Sequence, residues 1–291
     1  MSPPPTAMRS RYLSCLGREL HLTEWGDEAA PAVIAWHGLA RTGRDFDDFA
    51  AALSPRWRVI CPDTLGRGLS QWAVEPANEY CLSFYVEQAE ALLDQLGLAK
   101  VHWVGTSMGG AIGTLGAATR LRGRIRRLVL NDNGPELAAP ALARIKTYAA
   151  NPPSFGTVSA LEAYFREIYA SFGLLSDTQW RALTEASLRR LPDGRVTPHY
   201  DPAMAAQFDH HPDDYQLWAA WDSLDLPVLC LRGEQSTLLT PETAQAMRER
   251  GPRAAVATIA GCGHAPALNT AEQIALIERF LAADSPAPSR A

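Results

Sequence analysis

The segment Val101-His-Trp-Val-Gly105-Thr-Ser107-Met-Gly109-Gly110-Ala-Ile-Gly113 sets a serine in a G-x-S-x-G pattern between an apolar run and a helical stretch. A bend that sharp strains the serine backbone, and a Cβ at Gly105 or Gly109 would collide across it. The Ser107 hydroxyl then stands at a helix N-terminus, where free N–H groups and the macrodipole favour developing negative charge. The chemistry this suits is nucleophilic attack, for which a hydroxyl needs a base within hydrogen-bond reach. Among seven histidines, His264 is the candidate base. It closes Gly261-Cys262-Gly263-His264, after the last predicted strand, where glycines let a loop come close to the bend. The plainer alternatives are a glycine-rich helix–strand contact with an idle serine, and a loop histidine that serves structure.

Other polar clusters carry less. His210-His211 with Asp209, Asp213 and Asp214 has metal-ligand residue types, but adjacent histidines cannot share one helix face. A solvated loop with no metal is therefore expected. Asp63 follows a strand in a loop with Gly66 and Gly68 and should tie backbone N–H groups. His21 and His102 lie in strand runs and read as structural. The run Arg120, Arg122, Arg124, Arg126, Arg127 follows the helix behind Ser107, where cations are favoured, and reads as a solvated face.

Positioning these residues falls to an alternation of strands and helices. Tyr12–Leu16 and Glu19–Trp25 flank Gly17-Arg18 as a hairpin. Short apolar runs follow at Ala32–Trp36, Arg56–Cys61, Val101–Thr106, Ile125–Leu130, Val228–Leu231 and Ala255–Ile259, of the kind buried on both faces. Helical stretches lie between them at Cys81–Leu96, Met108–Thr119, Pro241–Arg250 and Ala271–Ala282. The pattern predicts an α/β fold, a mostly parallel sheet with helices on both faces, whose ligands bind beyond the carboxyl ends of the strands. From Pro135 to about Trp221 the rhythm breaks. Ser159-Ala-Leu-Glu162 and Ser176-Asp-Thr-Gln179 read as capping boxes, and no strand signal is present. An inserted, all-helical cap over the strand ends is expected. Its aromatics (Tyr148, Tyr164 and Trp180 among them) are available either for a pocket or for its own core. The expected layout is a disordered leader over 1–10, a core over 11–134 and 223–283, a cap over 135–222, and a disordered tail over 284–291.

Composition bounds the function. The 291 residues are 47% hydrophobic, with 27 basic and 32 acidic side chains and a net charge of -5. Roughly three quarters of the surface is buried at this size, enough for a core without disulfide or metal staples. The acidic balance argues against nucleic acid as the main partner. No apolar run reaches the ~18 residues of a membrane span, and the proline-rich start has no secretory h-region. Five cysteines, scattered and odd in number, suggest free thiols in a reducing cytoplasm rather than a disulfide framework or zinc site.

Taken together, His37-Gly38-Leu39, Asp63-Thr-Leu-Gly66-Arg67-Gly68, Gly105–Gly109 and Gly263-His264 resemble the α/β-hydrolase fold superfamily. The likeness runs through the predicted core and leaves out the cap. It implies a serine hydrolase with an eight-stranded, mostly parallel sheet and no cofactor, and not a dehalogenase-like member, since those carry aspartate in place of Ser107. By the same resemblance His37 shapes the oxyanion corner, with the backbone N–H groups of Leu39 and Met108 as oxyanion donors.

The orienting acid departs from the family's pattern. Relatives place it shortly after the seventh strand, past a glycine, but here Arg232-Gly233-Glu234-Gln235-Ser236-Thr237 puts hydroxyls at the expected positions. Glu234 follows the glycine too closely. Asp132, ending the neighbouring strand in Asn131-Asp132-Asn133-Gly134, keeps the order Ser107…Asp132…His264 and is the preferred candidate. A turn-capping aspartate, a Ser–His dyad helped by water, and no catalysis at all are the other readings.

The expectation is hydrolysis of a small-to-medium, largely apolar carboxylic ester through an acyl-enzyme, with a small-molecule ester as partner, no nucleic acid and no membrane span, and the oligomeric state left open. The alternatives are a C–C bond or lactone hydrolase with the same residues, or a non-catalytic ligand-binding or receptor member of the fold.

Overall fold

The computed structural model describes residues 8–283. Ten strands are formed: β1 (Arg9–Cys15), β2 (Arg18–Trp25), β3 (Ala32–Trp36), β4 (Arg58–Pro62), β5 (Val101–Thr106), β6 (Ile125–Asn131), β7 (Leu188–Arg190), β8 (Val196–Pro198), β9 (Val228–Gly233) and β10 (Ala255–Ile259). The helices are α1 (Asp47–Leu53), α2 (Pro76–Glu79), α3 (Leu82–Gln95), α4 (Met108–Ala118), α5 (Ala139–Ala150), α6 (Val158–Ile168), α7 (Asp177–Ala186), α8 (Gln207–His210), α9 (Trp218–Asp222), α10 (Pro241–Glu249) and α11 (Ala271–Ala282). Eight strands make one sheet in the order β1-β2-β4-β3-β5-β6-β9-β10. Pairing is antiparallel where β2 meets β1 and β4, and parallel from β4 through to β10.

The period-two alternation of β3 shows how both faces are filled. Val33 and Ala35 pack on one side with Phe49 and Leu53 of α1 and Ile277 and Leu281 of α11. Ile34 and Trp36 pack on the other with Tyr85 and Val86 of α3 and Ala111 and Ile112 of α4. Strands covered on both sides need no polar face, which is why their sequences read as continuous apolar runs.

Three expectations need correction. The first strand begins at Arg9, inside the stretch assigned to a leader. Glu24 of β2, fully buried, accepts from Arg9 (3.0 Å), Arg11 (3.0 Å) and Arg58 (2.8 Å), so a buried carboxylate gathers the charges of three strands and holds β1 onto the sheet. Residues 1–7 and the tail over 284–291 lie outside the described residues. The insertion between β6 and β9 is not all-helical, because β7 and β8 form an antiparallel hairpin around Leu191-Pro192-Asp193-Gly194. Strands of three residues are too short to show alternation, and only the turn signals them. Finally, α6 is capped by Thr157, whose hydroxyl accepts from the Ala160 N–H at 3.2 Å. Glu162 instead binds Arg166 and Arg181. The Ser176–Gln179 capping box is present as expected.

Candidate active site

Ser107 is the single residue between β5 and α4, with φ +52° and ψ −117°. Packing dictates the bend. A Cβ at Gly105 would lie 2.3 Å from the Gly109 carbonyl carbon, and one at Gly109 would lie 2.1 Å from the Trp36 carbonyl oxygen. Both clashes are with backbone and cannot be relieved by a rotamer change. The Trp103 indole donates to the Gly109 carbonyl at 2.9 Å and stacks on Trp36 at 5.2 Å, which fixes the start of α4 from below.

His264 reaches this serine from the loop after β10. Its Nε2 lies 3.0 Å from Ser107 Oγ, and its Nδ1 lies 2.8 Å from Asp132 Oδ2. The carboxylate can only accept, so Nδ1 carries the proton and Nε2 faces the serine hydroxyl as acceptor. Close approach of the loop depends on Gly233, where a Cβ would meet the Gly263 carbonyl oxygen at 2.2 Å. The insertion grips the same loop. Gly263 N–H donates to the Ser171 carbonyl at 2.7 Å, and the Ser171 hydroxyl donates to the His264 carbonyl at 2.9 Å.

Asp132 follows β6 in a left-handed conformation, φ +52°, and is fully buried. Its N–H donates to the Leu231 carbonyl at 2.7 Å, which locks the residue to β9. Oδ1 accepts from Gly233 N–H at 2.8 Å, and Oδ2 accepts from the Ser236 hydroxyl at 2.6 Å. A buried carboxylate is tolerable only with such a full set of donors. Glu234 is elsewhere, accepting from the Gly261 N–H at 3.0 Å. Ser236, at a position where the family's pattern puts an acid, thus donates to the acid from the next strand. Its type, a short hydroxyl in place of a carboxylate, was the signal for that part.

The turn after β3 crosses the serine closely, since a Cβ on Gly38 would sit 3.6 Å from the Ser107 Cβ. Among the described residues, neither the Leu39 nor the Met108 N–H is engaged by a protein acceptor. His37 holds this turn: its Nδ1–H donates to the Gly38 carbonyl at 2.6 Å, and its Nε2 accepts from the Thr64 N–H at 2.9 Å. Burial pushes the His37 imidazole down to about 4, so the ring is neutral, as those two bonds require. Arg67, quoted in the sequence motif without a role, is fully buried and donates to the Leu39 carbonyl at 2.9 Å, anchoring the peptide that follows the one carrying the Leu39 N–H. Asp63 accepts from Gly43 N–H, Leu69 N–H and His21 at 2.7–3.0 Å and supports the loop from outside the site.

Above these residues lies a cavity of about 550 Å³. Ser107, His264 and Leu39 form part of its floor, and Tyr148, Tyr164, Tyr169 and Phe172 come from the insertion. Phe165 and Trp180 instead build the insertion's own small core with Leu161 and Val196, and Trp221 is buried in the main core.

The residues with metal-ligand types bind protein groups separately. His211 Nε2 lies 2.7 Å from the Ala77 carbonyl, Asp209 pairs with Lys146, and Asp214 accepts from the Leu82 N–H at 2.9 Å. Among the described residues no cluster of three such groups is set for an ion. The five cysteines are buried and unpaired, and burial pushes the Cys15 thiol up to about 11. No helix among the described residues is long and apolar enough to cross a membrane.

Comparison with known proteins now decides the family. A family model described as the α/β hydrolase fold matches residues 31–270. The chain belongs to the α/β-hydrolase fold family. It is 42% identical over 267 residues to a 3-hydroxybutyrate-oligomer hydrolase of Cupriavidus necator, covering 88% of this chain and 90% of the relative. It is 28% identical to a pimeloyl-[acyl-carrier protein] methyl ester esterase of Xanthomonas campestris, over 87% of this chain and 96% of that one. Among solved structures, an α/β hydrolase from Novosphingobium aromaticivorans superposes with a TM-score of 0.85 at 35% identity, covering 95% of this chain and 98% of the other. For an α/β hydrolase with such relatives, hydrolysis is the reaction class.

Proposed function

We propose that this α/β hydrolase cleaves a carboxylic ester through an acyl-enzyme formed on Ser107. The observation that carries the reading is the unbroken hydrogen-bond path from Ser107 Oγ to His264 to buried Asp132, at 3.0 and 2.8 Å, on the floor of an aromatic cavity. Ser107 Oγ attacks the carbonyl carbon while its proton passes to His264 Nε2. Asp132 holds the ring tautomer and stabilises the imidazolium. The tetrahedral oxyanion accepts the N–H groups of Leu39 and Met108, which gain most as charge develops. Collapse breaks the C–O bond, and the departing alkoxide takes the proton from His264. Water then attacks the acyl carbonyl, giving its proton to the same nitrogen, and the acid leaves as Ser107 recovers its hydrogen. One ester and one water become one alcohol and one carboxylic acid.

Residues 135–222 serve as a cap that supplies the aromatic wall and excludes water during the reaction. The relatives support an ester as the substrate. One carries 3-hydroxybutyrate oligomers in its name, which are chains of esters, and another a methyl ester, so an ester of an aliphatic carboxylic acid is the first natural candidate.

Hydrolysis of 4-nitrophenyl butyrate by the wild type and by Ser107→Ala tests the reading. A folded Ser107→Ala variant should lose roughly 10⁵-fold or more in kcat. Turnover within a few-fold of wild type would remove Ser107 from the chemistry, and a folded wild type with no turnover of any ester would favour the ligand-binding alternative.

A further inference from the structure

The cavity wall is not uniformly apolar, and its charges are unevenly paired. Arg41, Arg44 and Arg144 line it together with Asp45, Asp47 and Asp48. Arg41 binds Asp45 through the Nε and Nη2 edge of its guanidinium, at 2.8 and 2.5 Å, and Arg44 holds Asp47 at 2.6 Å. Those four charges cancel locally. Asp48 accepts from the Gln179 amide at 2.6 Å, on the side where α1 meets α7. Arg144 is different. Among the described residues it makes no ion pair, and its side-chain hydrogen bond goes to the neutral Thr237 hydroxyl at 3.2 Å.

Two features aim this cation at the cavity. On α5, Ala141, Arg144, Ile145 and Tyr148 recur at helical spacing and all four line the space. Thr237 belongs to the loop after β9, and a carboxylate there would pair with Arg144 and cancel it. With hydroxyls at Ser236 and Thr237 and the acid delivered by Asp132 instead, the guanidinium keeps its full charge. Arg144 is itself exposed, so its attraction for an anion is partly screened by water and should be salt-sensitive.

We propose that Arg144, with the Thr237 hydroxyl beside it, recognises a carboxylate on the part of the ester remote from the scissile bond. The site therefore prefers an acyl chain that ends in a carboxylate over a neutral chain of the same length. Planar guanidinium N–H groups match the two oxygens of a carboxylate, and one positive charge matches one negative charge. The inference rests on the ester-hydrolase reading and replaces the expectation of a largely apolar substrate with one apolar along its length and anionic at its end.

The test pairs two esters of equal chain length, 4-nitrophenyl valerate and the monoanionic 4-nitrophenyl glutarate. The wild type should favour the glutarate. In Arg144→Gln the glutarate-to-valerate ratio of kcat/KM should fall tenfold or more, mainly through KM, and Arg144→Lys should restore part of it. Raising the salt from 0.05 to 0.5 M should move the wild-type ratio toward that of Arg144→Gln. A ratio that differs less than twofold between wild type and Arg144→Gln overturns the proposal. A second arm does not need catalysis: monomethyl glutarate is titrated calorimetrically into Ser107→Ala protein with and without Arg144→Gln. Binding weakened tenfold or more by the arginine substitution supports the site, even if no ester is turned over. Equal affinity, or no binding to either protein, refutes it and leaves the ester-hydrolase reading to its own assay.

Discussion

The two sides of this site are built by different physics. On the β5–α4 side, Ser107 is held by exclusion: Gly105 and Gly109 leave no room for a Cβ, and Trp36 and Trp103 fill the space beneath. On the β6–β9 side, Asp132 is held by attraction, through donors from Gly233, Ser236 and His264. Exclusion acts at fixed positions and leaves glycines at a fixed spacing. Attraction is permissive, because the ends of two neighbouring parallel strands lie close enough for either to deliver a carboxylate to the same imidazole. The nucleophile therefore has one address in the sequence, and the acid has several.

Substitutions can break or sharpen that contrast, and after Ser107→Ala itself the largest effect is expected at Asp132. Asp132→Asn should lower kcat by about 10⁴-fold, because the imidazole loses both its tautomer anchor and its counter-charge, while Glu234→Gln should change it only a few-fold. Comparable losses in the two variants would place the acid elsewhere. On the sterically built side, Gly109→Ala should cost about 3 kcal/mol of stability or prevent folding altogether. A denaturant midpoint like that of the wild type would mean the bend tolerates a Cβ and the exclusion account fails.

His37, also on that side, adds a pH signature. Its folded form titrates at about 4 because of burial, and its unfolded form near 6.5. As pH falls the unfolded chain takes up this proton first, so stability is lost between 6.5 and 4 and not further below. The contribution is about 2 kcal/mol between pH 7 and pH 5, and denaturant titrations of wild type and His37→Asn should differ in slope across that window. Identical slopes would mean that the ring is not buried neutral. The smallest effect belongs to Ser236→Ala, which removes one of three donors to Asp132 and should lower kcat about tenfold or less. A loss as large as that of Asp132→Asn would make Ser236 indispensable rather than supportive.

Much of the fold was legible because strands buried on both faces must be apolar throughout, and α10 and α11 start on threonine caps, Thr240 and Thr270. The mostly parallel sheet follows from that, whereas the number of its strands was implied by the family resemblance, and the edge strand β10 (Ala255–Ile259) is apolar in sequence yet only partly buried. What escaped reading was set by partners distant in sequence. Arg9 and Arg11 are gathered by Glu24 of the neighbouring strand, and β7 and β8 are too short to carry a period. In the site, the spacing around Ser107 and the glycines before His264 pointed to residues that the fold brings within hydrogen-bond reach of each other. The contribution of Arg67 did not show, since a buried arginine donating to the Leu39 carbonyl has no local sequence pattern. Nor did Arg144, which among the described residues makes no ion pair and meets a hydroxyl, Thr237, in the loop after β9.

The account turns on whether Ser107 alone is the activated nucleophile. Intact-mass and peptide-mapping spectrometry after treatment with a fluorophosphonate measures this directly. One adduct per chain should form, on Ser107, and it should be lost in both Ser107→Ala and His264→Ala. A folded wild-type protein that stays unlabelled, or that is labelled on another residue, would contradict it.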